Sequence, residues 1–221
     1  MGNNQVRPHI GIILAAGSAW GITEFAFGLG LQKCAALYTG AILSGLAFFW
    51  IAFIWSITRN ILSAIMIMII AMAFKFLDAL LLPVAWNHGS IMNPMFAFLT
   101  QAAGFALLVS LFSRKFGKNH LSRILVGGGA AAIAVALFPL VRFATGIPAC
   151  TYASTSVPLA YFTAPVAIGL SMITVPLGYL AATAYNRSLS RLNGEKSLIS
   201  RLWSPAVMAC CLLILTLSRI L

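Results

Sequence analysis

CAALYTGAILSGLAFFWIAFIWSI, residues 34–57, holds no Asp, Glu, Lys, Arg or His in 24 consecutive positions. That is more than the roughly 20 apolar residues a helix needs to cross hydrocarbon. The run is continuous, whereas a barrel strand would alternate over about ten residues. Backbone polar groups in lipid must be satisfied within the segment, so a run like this one predicts a membrane helix.

Outward from it lie six more apolar segments, at 10–31, 61–83, 92–113, 121–146, 158–185 and 203–221. The last is the shortest and carries Arg219 near its end, so it either spans or lies against the bundle. The 221 residues are 61% hydrophobic and only 8% charged. Mean hydropathy is +0.99. No soluble domain has that balance. The chain is expected to be all-α: a single domain, residues 1–221, forming a polytopic integral membrane bundle of six to seven transmembrane helices.

The net charge of +11 raises the question of nucleic acid, but the arrangement argues against it. The Lys and Arg residues sit mostly in short loops, and no basic stripe runs along a soluble face. The clusters Arg114, Lys115, Lys118, Arg123 and Arg187, Arg191, Lys196, Arg201 fall on the side that also holds Arg7 and Arg59. The opposite side keeps Lys33 and, if the last segment spans, Arg219. Such a bias marks the cytoplasmic face. The N-terminus is therefore expected inside and the loop around Cys150 outside. The first segment follows a single Arg and shows no small-residue cleavage site, so it is expected as a retained helix rather than a signal peptide.

Four ionisable residues lie inside the apolar segments: Glu24, Lys75, Asp78 and Arg142. A charge at bilayer depth is costly and usually faces the bundle interior, where it marks a pathway or site. In this topology all four fall in the outer half. Two acids and two bases balance, and Lys75 and Asp78, three apart, share a helix face. One reading is a structural ion-pair network; the other is a polar site open to the outside. Trp20, Trp86, Asn87, His88, Asn93, Gln101, Tyr152 and Tyr161 lie at the same level. The Trp and Tyr residues also suit an interfacial belt. Asn93 before Pro94 also suits the start of the fourth helix. Gln101 lies deeper and needs a hydrogen-bond partner from protein or ligand. Glu24, Arg142, Lys75, Asp78, Trp20, Asn93 and Gln101 are the candidate ligand-binding residues.

Nothing in the sequence points to catalysis, a metal or a cofactor. The three His residues lie near helix ends, away from the depth at which facing helices hold a haem. No HExxH motif, nucleophile elbow, dinucleotide fingerprint or P-loop appears. No Ser or Cys stands beside a buried His as nucleophile and base. The four Cys make no metal pattern; Cys210 and Cys211 sit in an apolar run. Cys34 and Cys150 fall near one membrane surface, which allows a disulfide between them. Pro139, Pro165 and Pro176 lie within segments and can kink them.

Small residues stripe two helices. Gly17, Gly21 and Gly28 share a face with Glu24, and Gly128, Ala132 and Ala136 repeat the spacing in the fifth segment. Ala15 and Ala19 form a second small pair. Either these seams pack the bundle, or Ala15, Ala16 and Ala19 offer a docking surface to another membrane subunit.

Residues 15–24, AAGSAWGITE, resemble the small-residue first helix of the substrate-binding S components of energy-coupling factor transporters. Those are small, very apolar prokaryotic proteins of about six helices. The size of the chain, its inside-positive loops and its outer polar cluster match as well. The apparent seventh helix departs from the six-helix pattern and implies a C-terminal addition. The resemblance implies that Ala15 and Ala19 face a transmembrane coupling subunit. It further implies that two ATPase subunits drive transport by tilting the S component, and that the outer cluster holds a vitamin or ion. The residence implied is the plasma (inner) membrane, among its lipid. The leading expectation is therefore a membrane-embedded solute-binding subunit of a micronutrient uptake transporter. Two others stand beside it: a non-catalytic integral subunit of a respiratory or photosynthetic complex, and a stand-alone channel or ion-coupled carrier.

Overall fold

The uncharged run forms α2 (Thr39–Thr58) in the computed structural model, which describes residues 7–34, 37–81, 85–152, 154–191, 209, 210 and 213. Before it comes α1 (Arg7–Cys34). After it come α3 (Ile61–Leu81), α4 (Gly89–Phe116), α5 (His120–Leu137), a 3₁₀ turn at Phe138–Leu140, the short α6 (Val141–Thr145) and α7 (Leu159–Arg191). Among the described residues there is no strand, only an isolated bridge between Thr151 and Pro158. Among the described residues five runs are long and apolar enough to cross a membrane: Ile10–Phe27, Thr39–Thr58, Gly89–Phe112, His120–Thr145 and Leu159–Ser190. The apolar run Ile61–Leu77 of α3 is shorter. The seventh expected segment, 203–221, lies outside the described residues apart from 209, 210 and 213, which are helical.

Short connections make successive helices antiparallel. Between α2 and α3 the turn is two residues. Arg59 takes the left-handed conformation, φ 52°, and its N–H bonds the Trp55 carbonyl. Asn60 Oδ1 then accepts from Leu62 N at 3.0 Å and starts α3. Asn119 starts α5 in the same way, accepting from Leu121 N.

Two boundaries differ from expectation. Asn93 does not cap the fourth helix. His88 does, with its ring nitrogen accepting from Ser90 N, so Asn93 and Pro94 lie one turn inside. The fifth segment is not one helix. Pro139 has no N–H to continue the α ladder. At the junction Phe138 bonds three residues back, to the Val135 carbonyl, the tighter 3₁₀ pattern.

α2 is the hub, packed on α7 most extensively and also on α1, α3 and α4. α5 lies between α4 and α7, and α1 lies along α3. The α1–α3 approach depends on Gly17 and Gly21. A Cβ on Gly17 would come 2.7 Å from Ile70 Cβ, and one on Gly21 would come 2.6 Å from Phe74. No side chain fits at either place, so the glycine seam binds α1 to α3. Gly28's side-chain position lies outside the described residues. In the fifth segment Gly128 packs on Met172, while Ala132 and Ala136 are exposed.

The main core cluster holds Trp20, Phe48, Ile51, Ile54, Phe98, Phe105 and Phe116 with smaller neighbours, and Phe25 and Phe74 form a second, smaller one. Outside it, Leu62, Leu111, Leu121, Phe143 and Ile173 are exposed, a surface compatible with membrane insertion.

Candidate functional site

A cavity of about 590 Å³ occupies the end of the bundle where α1, α3 and α5 finish and α2, α4 and α7 begin. Six helices supply its walls. α1 gives Glu24; α2 gives Thr39, Ser44 and Phe48; α3 gives Lys75. α4 contributes three successive turns through Asn93, Ala97 and Gln101, with Phe98 beside them. α5 adds Ala131 and Ala134, and α7 adds Thr163 and Ala167. The exposed residues Gly40, His88, Ser90 and Cys150 form its rim. It therefore runs from the surface down to buried side chains.

Most of the wall is apolar, with a few polar groups set into it, the usual make-up of a small-molecule site. Glu24 is 5% exposed and carries the carboxylate that lines this cavity. It follows Gly21 by one turn, so the glycine seam that brings α1 onto α3 also delivers Glu24 to the cavity wall. Lys75, beside Phe74 on the facing helix, lines the same cavity.

The two amides are tethered at one end and unsatisfied at the other. Gln101 Nε2 donates to Ser44 Oγ at 2.9 Å, and its buried Oε1 has no hydrogen-bond partner. Asn93 Nδ2 lies 3.5 Å from Cys150 Sγ, and its buried Oδ1 likewise has none. A buried amide group without a partner costs stability unless water or a ligand supplies one. A hydroxyl and a thiol each donate or accept. Either amide can therefore turn over and offer a ligand a donor instead of an acceptor.

The expected site residues divide. Glu24, Lys75, Asn93 and Gln101 come together on the cavity. Trp20 stands one layer behind: it is fully buried, with its ring 5.0 Å from that of Phe98 and tilted by 58°. Phe98 itself lines the cavity. Arg142 is not in the bundle interior. The break at Pro139 turns the chain, Val141 takes the buried position, and Arg142 and Phe143 point outward. Adjacent residues on a helix point about 100° apart, which is why one is buried and the next is not. The side chain of Asp78 lies outside the described residues. Of the small-residue trio, Ala16 is 2% exposed and belongs to the core, so it cannot meet a partner. Ala15 and Ala19 are partly exposed. Cys150 is a free thiol.

Ser44, Thr100, Thr163 and Ala97 join the site without being expected there from the sequence. Only Ser44 has a legible signal, as the one hydroxyl between Thr39 and Ser56 in the apolar run of α2. His88 and Ser90 approach to 2.8 Å between Nδ1 and Oγ. The same Nδ1 accepts from Ser90 N at 3.2 Å, so the pair closes the first turn of α4. Among the described residues no three of His, Cys, Asp or Glu are grouped as metal ligands.

No family model matches this chain, and neither a curated protein nor a solved structure matches it.

Proposed function

We propose that this protein is a membrane-embedded solute-binding subunit of an uptake transporter, which captures a small solute from the outer side. The observation that carries this reading is the cavity itself. It is large enough for a ligand of vitamin size and lined mainly by apolar groups. Among the described residues it also holds one buried carboxylate, one lysine and two amides with unsatisfied ends.

In this reading α3 spans as well, making six membrane helices among the described residues. Its 21 residues reach about 30 Å at 1.5 Å each, the thickness of the hydrocarbon. The cavity faces the outer side because the other end gathers Arg59, Lys115, Lys118, Arg123 and Arg187, as a cytoplasmic surface does. The protein works without catalysis of its own: it positions a solute and changes nothing in it. Ala15 and Ala19 are the positions at which α1 would meet a coupling subunit, with ATPase subunits beyond it. Small residues let such helices approach closely.

The test is mass spectrometry of small molecules retained by the purified protein and by Ala97→Phe. That substitution fills the cavity from a partly exposed position on its wall. The wild type should hold a defined small molecule and the filled variant should hold none. A wild type that retains nothing, and that no small-molecule extract stabilises against heat, would overturn the proposal.

A further inference from the structure

The opposite end of the bundle holds a second recess, of about 300 Å³, between the last turns of α2 and α7. Its chemistry is unlike that of the large cavity. Arg59 and Arg187 stand on it, and Ser56, Thr183 and Asn186 supply further polar wall. Among the described residues no carboxylate lines it. The chain has three acids in all. Glu24 lies in the other cavity, Asp78 is near the far end of α3, and Glu195 falls outside the described residues.

Two features give this recess a built character. Arg59 is held in place: its backbone sits in the left-handed region, and its guanidinium carbon lies 4.8 Å from the centre of the Trp55 ring. A cation over an aromatic face is attracted by the ring quadrupole. Ser56, one turn earlier, is 8% exposed, and its hydroxyl is hidden from water with no hydrogen-bond partner. Thr58 and Thr183, near it, bond back to the carbonyl four residues before. Ser56 does not, which leaves an unsatisfied buried hydroxyl on a residue that lines the recess together with Arg59 and Arg187.

We propose that this recess binds a phosphate group, carried by the headgroup of an anionic phospholipid. Arginine forks match phosphate oxygens and hydrate less strongly than lysine. A basic pocket between membrane helices, at their cytoplasmic ends, is where such headgroups bind. Leu180 and Leu189 of α7, each next in sequence to a residue that lines the recess, are exposed, and would offer apolar surface to the acyl chains of the same lipid.

The experiment is native mass spectrometry of the full chain, titrated with phosphatidylglycerol or phosphatidylcholine. Wild type, Arg187→Gln, Arg59→Gln, Ser56→Ala and Lys118→Gln are compared. Wild type should prefer phosphatidylglycerol. Each arginine variant should bind it about fivefold more weakly, the ordinary contribution of one basic residue at a membrane surface. Ser56→Ala should weaken it by less, and Lys118→Gln, at the same end but off the recess, should not. Should Arg59→Gln fold poorly, Arg187→Gln, whose side chain is exposed, still decides the matter. Unchanged phosphatidylglycerol binding in Arg187→Gln would overturn the proposal. It would also be overturned if inorganic phosphate alone displaced the lipid completely at millimolar level, because the ligand would then be a soluble phosphate.

Discussion

Gln101 Nε2 donates to Ser44 Oγ across 2.9 Å and ties α4 to α2, at the deepest α4 position on the cavity. The bond uses one end of the amide and leaves the other for a ligand. Gln101→Leu removes a neutral hydrogen bond of about 1 kcal/mol together with an unsatisfied oxygen. Thermal unfolding should therefore shift little in either direction. Retention of the small molecule, read by mass spectrometry, should fall. If the variant retains it as wild type does, Gln101 is no part of the site.

Glu24 and Arg142 should behave oppositely, because one is buried on the cavity and the other is exposed. Arg142→Gln should change stability by no more than about 0.5 kcal/mol, as surface substitutions do, and should keep the solute. Glu24→Gln should lose it. A double variant, Glu24→Gln with Lys75→Gln, separates site from structural pair. Recovery of both heat stability and solute retention would show that the two residues only neutralise one another.

The α1 helix has two faces that substitution should tell apart. Gly21→Val places side-chain atoms where a Cβ alone would meet Phe74 at 2.6 Å. Overpacking of this kind costs about 1–3 kcal/mol, and detergent melting curves should show it. Ala19→Leu, at a partly exposed position, should leave the isolated protein folded. Assembly with partner subunits, measured by co-purification, should fail. Normal assembly of Ala19→Leu would remove the docking role from this face.

Arg123 is a lock at the basic end. It is 4% exposed and donates to the Phe116 carbonyl at 2.8 Å and the Gly117 carbonyl at 2.9 Å. Its guanidinium also lies 3.5 Å from the Tyr179 ring centre. It thereby joins the end of α4, the start of α5 and the middle of α7. Arg123→Leu should cost about 2–3 kcal/mol, the worth of a charged hydrogen bond and of the Phe116 carbonyl it leaves unsatisfied, while the Gly117 carbonyl keeps the Tyr179 hydroxyl at 3.1 Å. A chemical-denaturation series would measure it; a loss under about 1 kcal/mol would mean that water takes over the Phe116 carbonyl.

Orientation can be read from two thiols. Cys150 is exposed and free at the cavity end, and Lys118→Cys puts a thiol at the other end. In a background with the remaining cysteines replaced by serine, an impermeant reagent added to intact cells should label Cys150 and spare Lys118→Cys. The reverse pattern would invert the bundle and close the cavity to the outer side.

The sequence alone determined the helical type of the elements, but not their number. Uncharged runs longer than a bilayer is thick leave the backbone no choice but a helix, and that holds whatever the neighbours are. It also determined which end is basic, because loop charges are local facts. Gln101 and Glu24 were legible for a similar reason: a polar group in an apolar run must find company.

What the tertiary structure decided was direction and company. Arg142 sits in an apolar segment, yet Pro139 breaks that segment and turns the arginine outward. Ala15, Ala16 and Ala19 look alike in the sequence, but a rotation of about 100° per residue sends Ala16 into the core and leaves its neighbours partly exposed. Asn93 reads as a cap, but His88 takes that place and carries the helix one turn further back. Ser44, Ala97 and Thr163 reach the cavity only because α2, α4 and α7 converge there. A sequence records which residues are apolar; it does not record which of several apolar neighbours each one will face.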